Sequence, residues 1–431
     1  MEGIRNGVRR AVGERARSLA DALSFLAQWV LYRAVKALSF CWTRDDSLWA
    51  FGARAGGAFA DNAKYLYLHV ATERPDVRPV WLSKDREVVA ELQSAGYEAY
   101  HCYSLRGLAL NLRAGVVFLT HGHRDLAMPC CAGALNVMLW HGLPLKRVSW
   151  DAGFADEPAA VRAAHAHMAG EFDLLTVPGP QTGPFESGLR IDRDRMVETG
   201  YPRNDALFDA VPGEQLGTDA DALARVRDLA GDRPVVCYLP TFREWDPGVV
   251  AENVDFAALE DFLADRDAYL AVKTHPNERL DLSALDLDRV VELPEATDAY
   301  PLLRRADALV TDYSSVYFDY LLLDRPVAFY AFDLDRYRAE RGFYFEYDDV
   351  TPGPVARDFE GLLDALDRTL DAVVSDEDPD ADRRRAVRES MLGESTANAV
   401  DSSARVYEAV RRRLGEGAVP DRESSARGSA E

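Results

Sequence analysis

The chain has 431 residues, 48% of them hydrophobic, so it is long enough for two hydrophobic cores, and a wholly disordered protein is excluded. Its net charge of -22, with only five lysines among 50 basic residues, excludes general binding to a nucleic-acid backbone and predicts a halophilic source. Five cysteines without a C-x-x-C pair argue against a structural zinc site and indicate a reducing compartment.

The first 43 residues differ in composition from the rest of the chain. Five arginines precede residue 18, and three charged residues, Asp21, Arg33 and Lys36, interrupt the apolar stretch 19–42 that follows. These charges argue against a membrane span, because each is costly inside a bilayer. We therefore predict a basic amphipathic helix on a membrane surface at 1–43, and packing of this helix on its own domain is the alternative. Its lipid-facing residues would be Leu19, Leu23, Leu26, Trp29, Val30 and Leu38.

Two blocks of short apolar runs alternate with helical patterns along the remaining chain. The first block predicts strands at 79–83, 115–120, 135–140, 174–178 and 196–199. The second block predicts strands at 234–239, 269–273, 290–293, 308–311 and 326–330. This alternation predicts parallel sheets, and hence two Rossmann-like α/β domains facing a cleft, at 44–210 and 211–414. We expect one helix at about 383–413 to close the second domain, and a disordered tail at 415–431.

The second block carries polar side chains where its strands end. Ser314 and Ser315 follow one strand and open a helix, whose free N–H groups would hold a diphosphate; an ordinary helix cap is the alternative. Arg243, Lys273 and His275 follow two other strands. Because parallel strands end at one edge of a sheet, these three cationic side chains would converge with the serines on one phosphate site.

The first block places a histidine where a strand ends. His141 is a candidate general base near neutral pH, and Gly142 would let the backbone approach a ligand closely. His121 and His123 follow the preceding strand and are secondary candidates. The turn at 200–205 lies where the two blocks meet, so it is either a structural hinge or a substrate contact.

Taken in order, these motifs resemble the CDP-glycerol glycerophosphotransferase family of teichoic-acid polymerases and primases. The resemblance extends over most of the chain and rests on Trp140–Lys146, Gly200–Asp205, Pro240–Arg243, His275–Pro276, Thr311–Ser315 with Asp319, Arg341–Tyr344 and Pro352–Pro354. It implies a GT-B-like α/β fold with two Rossmann-like domains. One departure is Phe242, where the family often has tryptophan. A halophilic source would be another, because wall teichoic acid is not expected there.

The resemblance also implies a reaction and a set of roles. A polyol phosphate, with glycerol phosphate as the first choice, would move from CDP-glycerol or CDP-ribitol to a hydroxyl of a membrane-linked polyol or glycan acceptor, releasing CMP. His141 would be the base, and His275 would lie near the phosphates. The donor would contact Arg243, Lys273, Thr311, Asp312, Ser314, Ser315 and Asp319. The acceptor would contact Gly142, Lys146, Arg203 and Asn204. This interpretation requires no metal or other cofactor.

The expected location is the cytoplasmic face of the cell membrane, as a peripheral enzyme of envelope-polymer biosynthesis. One alternative keeps the fold but makes the donor a nucleotide sugar, so that the enzyme is a GT-B glycosyltransferase. A second alternative is a non-catalytic, membrane-recruited nucleotide-binding scaffold. The sequence leaves open the polyol, the acceptor, polymerisation against single addition, and the oligomeric state, a homo-oligomer included.

Overall fold

The computed structural model describes residues 2–275, 277–375, 377–397 and 400–417, which form two α/β domains around a cleft. The N-terminal sheet contains seven parallel strands, β1 (Asp45–Phe51), β2 (Arg78–Ser83), β3 (Ala99–His101), β4 (Ala114–Leu119), β5 (Leu135–Met138), β6 (Leu174–Val177) and β7 (Met196–Glu198). Their order across the sheet is β3-β2-β1-β4-β5-β6-β7. The helices of this half are α1 (Glu2–Leu38), α2 (Asp61–Glu73), α3 (Arg86–Ser94), α4 (Leu105–Arg113), α5 (Ala159–Ala169), α6 (Gly183–Leu189) and α7 (Asp205–Phe208).

The C-terminal sheet contains six parallel strands, β8 (Val235–Leu239), β9 (Tyr269–Val272), β10 (Val290–Glu292), β11 (Ala308–Thr311), β12 (Val327–Tyr330) and β13 (Val355–Ala356). Their order is β10-β9-β8-β11-β12-β13. The remaining helices are α8 (Ala220–Ala230), α9 (Val249–Asn253), α10 (Phe256–Asp265), α11 (Ala299–Arg305), α12 (Val316–Tyr320), α13 (Leu334–Arg341), α14 (Tyr347–Val350), α15 (Phe359–Val374), α16 (Ala381–Ala397) and α17 (Ser402–Gly417).

The central strands are buried from end to end, as expected where helices cover both faces of a parallel sheet. Every residue of β4 and of β8 is buried. Short polar side chains fix several helix starts: Asp85, Ser104, Asp219, Asp255 and Asp358 each accept a hydrogen bond from a backbone N–H in the first turn. The predicted pair of parallel α/β domains is confirmed, and each predicted strand is present within two residues of its expected ends.

The C-terminal segment differs from the single helix predicted at 383–413. It forms α16 and α17, and Gly393 interrupts α16 with a left-handed backbone (φ 73°). α17 returns to the N-terminal domain, where Tyr407 packs on Trp49 and the Asp205 carboxylate accepts hydrogen bonds from the first two N–H groups of α17. The predicted tail begins inside α17, and its residues 418–431 lie outside the described residues.

Helix α1 packs on the N-terminal domain through one face only. Phe25 is buried with its ring stacked on His165, and the buried Tyr32 hydroxyl donates to Glu171 (2.7 Å). Leu26 and Trp29, which we predicted to face lipid, instead pack against this core. The opposite face leaves four large apolar side chains exposed, Leu23, Val30, Leu31 and Leu38. Side chains up to Leu19 fall outside the description, and no described helix is long and apolar enough to cross a membrane.

Candidate active site

Each sheet has a switch point, where its strand order reverses, and both switch points lie at the cleft. Strand order reverses between β1 and β4 in one sheet and between β8 and β11 in the other, and ligands of such sheets bind outside these carboxyl ends. The loops there are strained on the N-terminal side: Arg54 (φ 47°), Ala55 (φ 56°), Asp61 (φ 64°) and Trp140 (φ 53°) all have left-handed backbones. Non-glycine residues are costly in this conformation and gather at functional sites.

His141 forms a stacked pair with His121 at the end of the N-terminal sheet. The two rings lie 4.3 Å apart and 7° from parallel, and His141 Nδ1 lies 3.2 Å from the Thr120 carbonyl oxygen. Since a carbonyl can only accept, Nδ1 carries the hydrogen and Nε2 keeps its lone pair. Burial lowers the pKa of His141 to about 3, and the neighbouring His121 acts in the same direction. The imidazole is therefore neutral near pH 7, with Nε2 unprotonated.

Asp125 supports the histidine pair by binding the backbone of the loop after β4, a role that the sequence did not predict. Its buried carboxylate accepts hydrogen bonds from the N–H groups of Thr120 (2.7 Å), His121 (2.8 Å) and Ala55 (2.6 Å). One side chain thus ties the loop after β1 to the loop after β4. This tie fixes the Thr120 carbonyl that orients His141.

A cavity of about 370 Å³ lies between the domains at the ends of β8, β9 and β11; we call it the interdomain cavity. Its polar lining includes Lys146 from the N-terminal domain and Lys273, His275, Ser314 and Arg341 from the C-terminal domain. Two of the five lysines therefore face one cavity in a chain of net charge -22. An anionic ligand fits this lining, because it would neutralise charges that repel one another.

The cations of the interdomain cavity perturb one another. Burial lowers the pKa of Lys146 to about 8. Burial, followed by the nearby charge of Arg54, lowers the pKa of Lys273, and burial followed by Lys273 and Lys146 lowers the pKa of His275. Among the described residues, no carboxylate lies within 4 Å of either ammonium group. Arg341 differs from the two lysines, because it pairs with Glu244, which also lines the cavity (2.8 Å). A lining with more cations than carboxylates suits an anionic ligand.

Gly142 and Ser315 bring the two halves of the site together. Gly142 has a left-handed backbone (φ 139°), and a Cβ built on it would lie 2.7 Å from the Ser315 hydroxyl oxygen. Just beyond, the Lys146 backbone forms an antiparallel bridge with Phe343 of the C-terminal domain. The loop that carries His141 therefore meets the serine pair at the interface between the domains. Helix α12, which follows Ser315, has only five residues and offers a smaller dipole than we expected.

Arg243 occupies a different place from the one predicted. Its guanidinium is fully buried and bonds to Asp333 through Nε (3.0 Å) and Nη2 (2.8 Å), and to Asp312 through Nη1 (2.5 Å). Asp312 also accepts from the Thr241 N–H, and the buried Thr311 hydroxyl donates to the Leu239 carbonyl. The polar atoms of Arg243, Asp312 and Thr311 are engaged in this way, and the lining of the interdomain cavity consists of other residues. Their expected contacts with the donor stay a prediction.

Asp319, predicted to contact the donor, instead binds the N-terminal domain. Its buried carboxylate accepts from Arg203 Nη2 (2.7 Å), Tyr300 (2.5 Å) and, more weakly, Asn204 (3.5 Å). Arg203 also donates to Asp61 (2.8 Å). Both Arg203 and Asn204, predicted to contact the acceptor, are buried in this interdomain clamp. Of the two alternatives left open for the turn at 200–205, the geometry favours the structural one.

Metal ligands do not cluster in the part of the chain that the structure describes. There, no group of three or more His, Cys, Asp or Glu side chains could hold a metal ion. Of the predicted site residues, the structure groups Lys146, Lys273, His275 and Ser314 in the interdomain cavity, and it brings Gly142, the neighbour of His141, against Ser315. The neighbouring Pro276 lies outside the described residues.

Known proteins share both the sequence pattern and the fold. The family model for CDP-Glycerol:Poly(glycerophosphate) glycerophosphotransferase matches residues 34–412. A teichoic acid glycerol-phosphate transferase of Staphylococcus aureus is 29% identical over 365 residues, which cover 81% of this chain and 90% of that protein. A teichoic acid poly(glycerol phosphate) polymerase of Bacillus spizizenii is 26% identical over 344 residues, 76% of this chain and 84% of that protein.

Solved structures agree on the architecture. The wall teichoic acid polymerase TagF matches with a TM-score of 0.71 at 22% identity, over 94% of this chain and 99% of that chain. A putative UDP-N-acetylglucosamine 2-epimerase from Listeria monocytogenes matches with a TM-score of 0.54 at 16% identity, over 86% of this chain and 97% of that chain. The predicted GT-B-like fold is thereby confirmed.

Proposed function

The chain belongs to the CDP-glycerol:poly(glycerophosphate) glycerophosphotransferase family, and from this premise we propose the reaction that it catalyses. The enzyme transfers a polyol phosphate, with glycerol phosphate as the first choice, from a CDP-activated donor to an acceptor hydroxyl. The observation that carries the proposal is the cationic interdomain cavity, whose Ser314 adjoins the Ser315–Gly142 contact with the loop that carries His141. The family description supports CDP-glycerol as the donor, and the homologous teichoic acid glycerol-phosphate transferase supports glycerol phosphate as the transferred group.

In the proposed chemistry the acceptor oxygen attacks the β-phosphorus of the donor. A new P–O bond forms, the bond from the β-phosphorus to the oxygen bridging it to the α-phosphorus breaks, and CMP leaves with that oxygen. Such transfers depend on positioning and charge neutralisation more than on covalent catalysis. Lys146 and Lys273 would supply the neutralisation, and His275 and Ser314 would supply hydrogen bonds, because their side chains line the cavity.

His141 is the proposed base for the acceptor hydroxyl. Its Nε2 lone pair is available, since Nδ1 is bonded to the Thr120 carbonyl. The diphosphate would raise the pKa of His141 from its low value, because a nearby negative charge favours the imidazolium form. Proton transfer from the hydroxyl to Nε2 would then accompany attack on phosphorus. Arg243 and Asp319 act as positioning residues in this proposal.

CMP release tests the proposal directly. CDP-glycerol and CDP-ribitol are supplied separately in high salt with a membrane extract as acceptor, and His141→Ala is compared with wild type. We expect release from at least one donor and its reduction by about 10²–10⁴-fold in the variant. His101→Ala is the matched control, because His101 lies on the far edge strand β3. Turnover of a UDP- or GDP-sugar without release from either CDP-polyol would instead support the glycosyltransferase alternative.

We further propose that α1 lies on the cytoplasmic face of an anionic membrane. Its exposed residues Leu23, Val30 and Leu31 form an apolar surface next to the arginine-rich first turns of the chain, a combination typical of interfacial helices. Sedimentation with phosphatidylglycerol vesicles tests this. Replacing the three residues by serine should abolish binding, whereas Leu105→Ser, an exposed leucine on α4, should not. A second copy of the chain is the other candidate occupant, and a change of oligomeric state in the triple variant would identify it.

A further inference from the structure

The loop after β8 brings the ring of Phe242 against His275 in the interdomain cavity. Both side chains line this cavity, and their rings are stacked, with the centroids 5.1 Å apart and the planes 20° from parallel. Aromatic pairs favour stacked arrangements at such distances. One face of the His275 ring is therefore covered by Phe242, and the orientation of the imidazole in the cavity depends on this contact.

Phe242 is held in place by the residues on both sides of it. The Thr241 N–H donates to the Asp312 carboxylate (2.9 Å). The guanidinium of Arg243 is fully buried between Asp312 (2.5 Å) and Asp333 (2.8 Å). Because both neighbours are anchored on the same carboxylate, the backbone between them is fixed. The buried ion pairs of Arg243 thus have an effect at the cavity surface, where they hold the loop that presents the Phe242 ring.

A hydrogen bond fixes the edge of the His275 ring. The Asn277 backbone N–H donates to His275 Nδ1 (3.2 Å). Since a backbone N–H can only donate, Nδ1 holds the lone pair, and the neutral ring carries its hydrogen on Nε2. Burial lowers the pKa of His275, and the charges of Lys273 and Lys146 act in the same direction, so the ring is neutral near pH 7. Its Nε2–H can therefore donate to a ligand in the cavity that it lines.

His141 has the opposite tautomer. Its Nδ1 donates to the Thr120 carbonyl oxygen, so the lone pair is on Nε2. The two histidines are therefore not interchangeable: His141 offers an acceptor for a proton, whereas His275 offers a hydrogen-bond donor. The oxygens of an ionised diphosphate only accept hydrogen bonds, so the tautomer of His275 is the one that suits them.

On these grounds we propose that Phe242 is a positioning residue, which together with the Asn277 N–H holds His275 as a neutral Nε2–H donor to a phosphate oxygen of the CDP-polyol. The inference rests on the transferase function proposed above and assigns this residue's part in it. Without the stack, one hydrogen bond alone would oppose rotation of the imidazole about its Cβ–Cγ bond, and Nε2–H would lose its direction. Direct stacking of Phe242 on the cytosine of the donor is the competing role.

The tautomer is measured on the full chain by nitrogen-15 NMR with labelled histidine. The signals of His275 are those that disappear in His275→Gln. At about pH 7.5 we expect a protonated Nε2 and an unprotonated Nδ1 for His275, and the reverse for His141. A hydrogen on Nδ1 of His275, or an imidazolium at this pH, would overturn the proposal. This measurement needs no substrate and does not depend on activity.

Donor kinetics separate positioning from direct contact with the donor. Phe242→Leu should lower kcat/KM for the CDP-polyol about 2- to 10-fold, and Phe242→Trp should restore it, because an indole can also stack on the imidazole. The matched control is Phe262→Leu, at a half-buried position on α10 outside the cavity, and it should behave as wild type. In a His275→Ala background, Phe242→Leu should cause no further loss. An equal loss in both backgrounds, or no loss in either, would overturn the proposal.

Two substitutions of similar length test the donor role of His275 itself. His275→Gln keeps an amide N–H that can reach the position of Nε2, whereas His275→Met has no donor. We expect the glutamine variant to keep at least about tenfold more activity than the methionine variant. Equal activities would overturn the donor role but leave the transferase standing. If wild type releases no CMP from either CDP-polyol, the proposed function fails and the donor role with it, whereas the NMR result still decides the tautomer.

Discussion

Removal of the Asp319 carboxylate distinguishes a domain clamp from a donor contact. The side chain is 2% exposed and accepts from Arg203 (2.7 Å) and Tyr300 (2.5 Å). Breaking a buried ion pair from one side costs about 3–5 kcal/mol, because the partner charge stays buried. Arg203 keeps Asp61 as a second partner (2.8 Å). We therefore expect Asp319→Ala to lower the free energy of unfolding by about 3 kcal/mol, the lower end of this range.

For a domain of this size, that loss lowers the melting temperature by about 6–12 °C. Differential scanning fluorimetry measures the shift, and Asp371→Ala is the control. Asp371 pairs with Arg266 at the surface, so its loss should cost less than about 1 kcal/mol. The clamp would be refuted if Asp319→Ala had the same melting temperature as Asp371→Ala but a higher donor KM than wild type. That result would restore the donor contact predicted from the sequence.

Three further outcomes follow from the same geometry. Gly142→Ala should abolish CMP release without unfolding the protein on circular dichroism, because its Cβ would press on Ser315. Arg243→Lys should lower the urea midpoint by the equivalent of about 2–4 kcal/mol, since lysine cannot bridge Asp312 and Asp333 together. Burial holds the pKa of His123 at about 3, so unfolding takes up a proton below about pH 6.5 and stability falls toward acid. Between pH 7 and pH 5, the free energy of unfolding of His123→Phe should therefore fall by about 2 kcal/mol less than that of wild type.

The sequence predicted those strands and helices that have a recognisable local residue pattern. Continuous apolar runs such as 308–311 and 234–239 are buried strands in the structure, and polar residues after them reach the cleft. The pattern failed for β1, which begins with Asp45, Asp46 and Ser47, and for the edge strands β3 and β13, which have only three and two residues. Because the pattern does not predict β1, it also does not place the following loop, with Arg54 and its strained backbone, in the site.

The roles of individual charged residues depended on contacts that spacing does not encode. Arg243 and Asp319 lie beside site residues in the chain, so a ligand contact was the natural prediction. Their actual partners are far away in sequence: Asp333 is 90 residues from Arg243, and Arg203 is 116 residues from Asp319. Asp125 gave no sequence signal, because its importance comes from three backbone N–H groups on two loops. The need for a carboxylate at position 125 arises from the folded arrangement of these two loops, which the sequence does not show.

The charge distribution suggests why the domains are held together by buried ions. In a chain of net charge -22, the cations of the cleft must be kept from the surrounding carboxylates until an anionic donor binds. Arg203 and Arg243 pair with buried carboxylates, whereas no carboxylate in the described part of the chain lies within 4 Å of the Lys146 or Lys273 ammonium group. Since Lys146 belongs to the N-terminal domain and Lys273 to the other, both can face one diphosphate only when the clamp is closed. If the interdomain cavity holds the donor as proposed, donor affinity depends on the clamp, and weakening the clamp should weaken donor binding without touching a residue that lines the cavity.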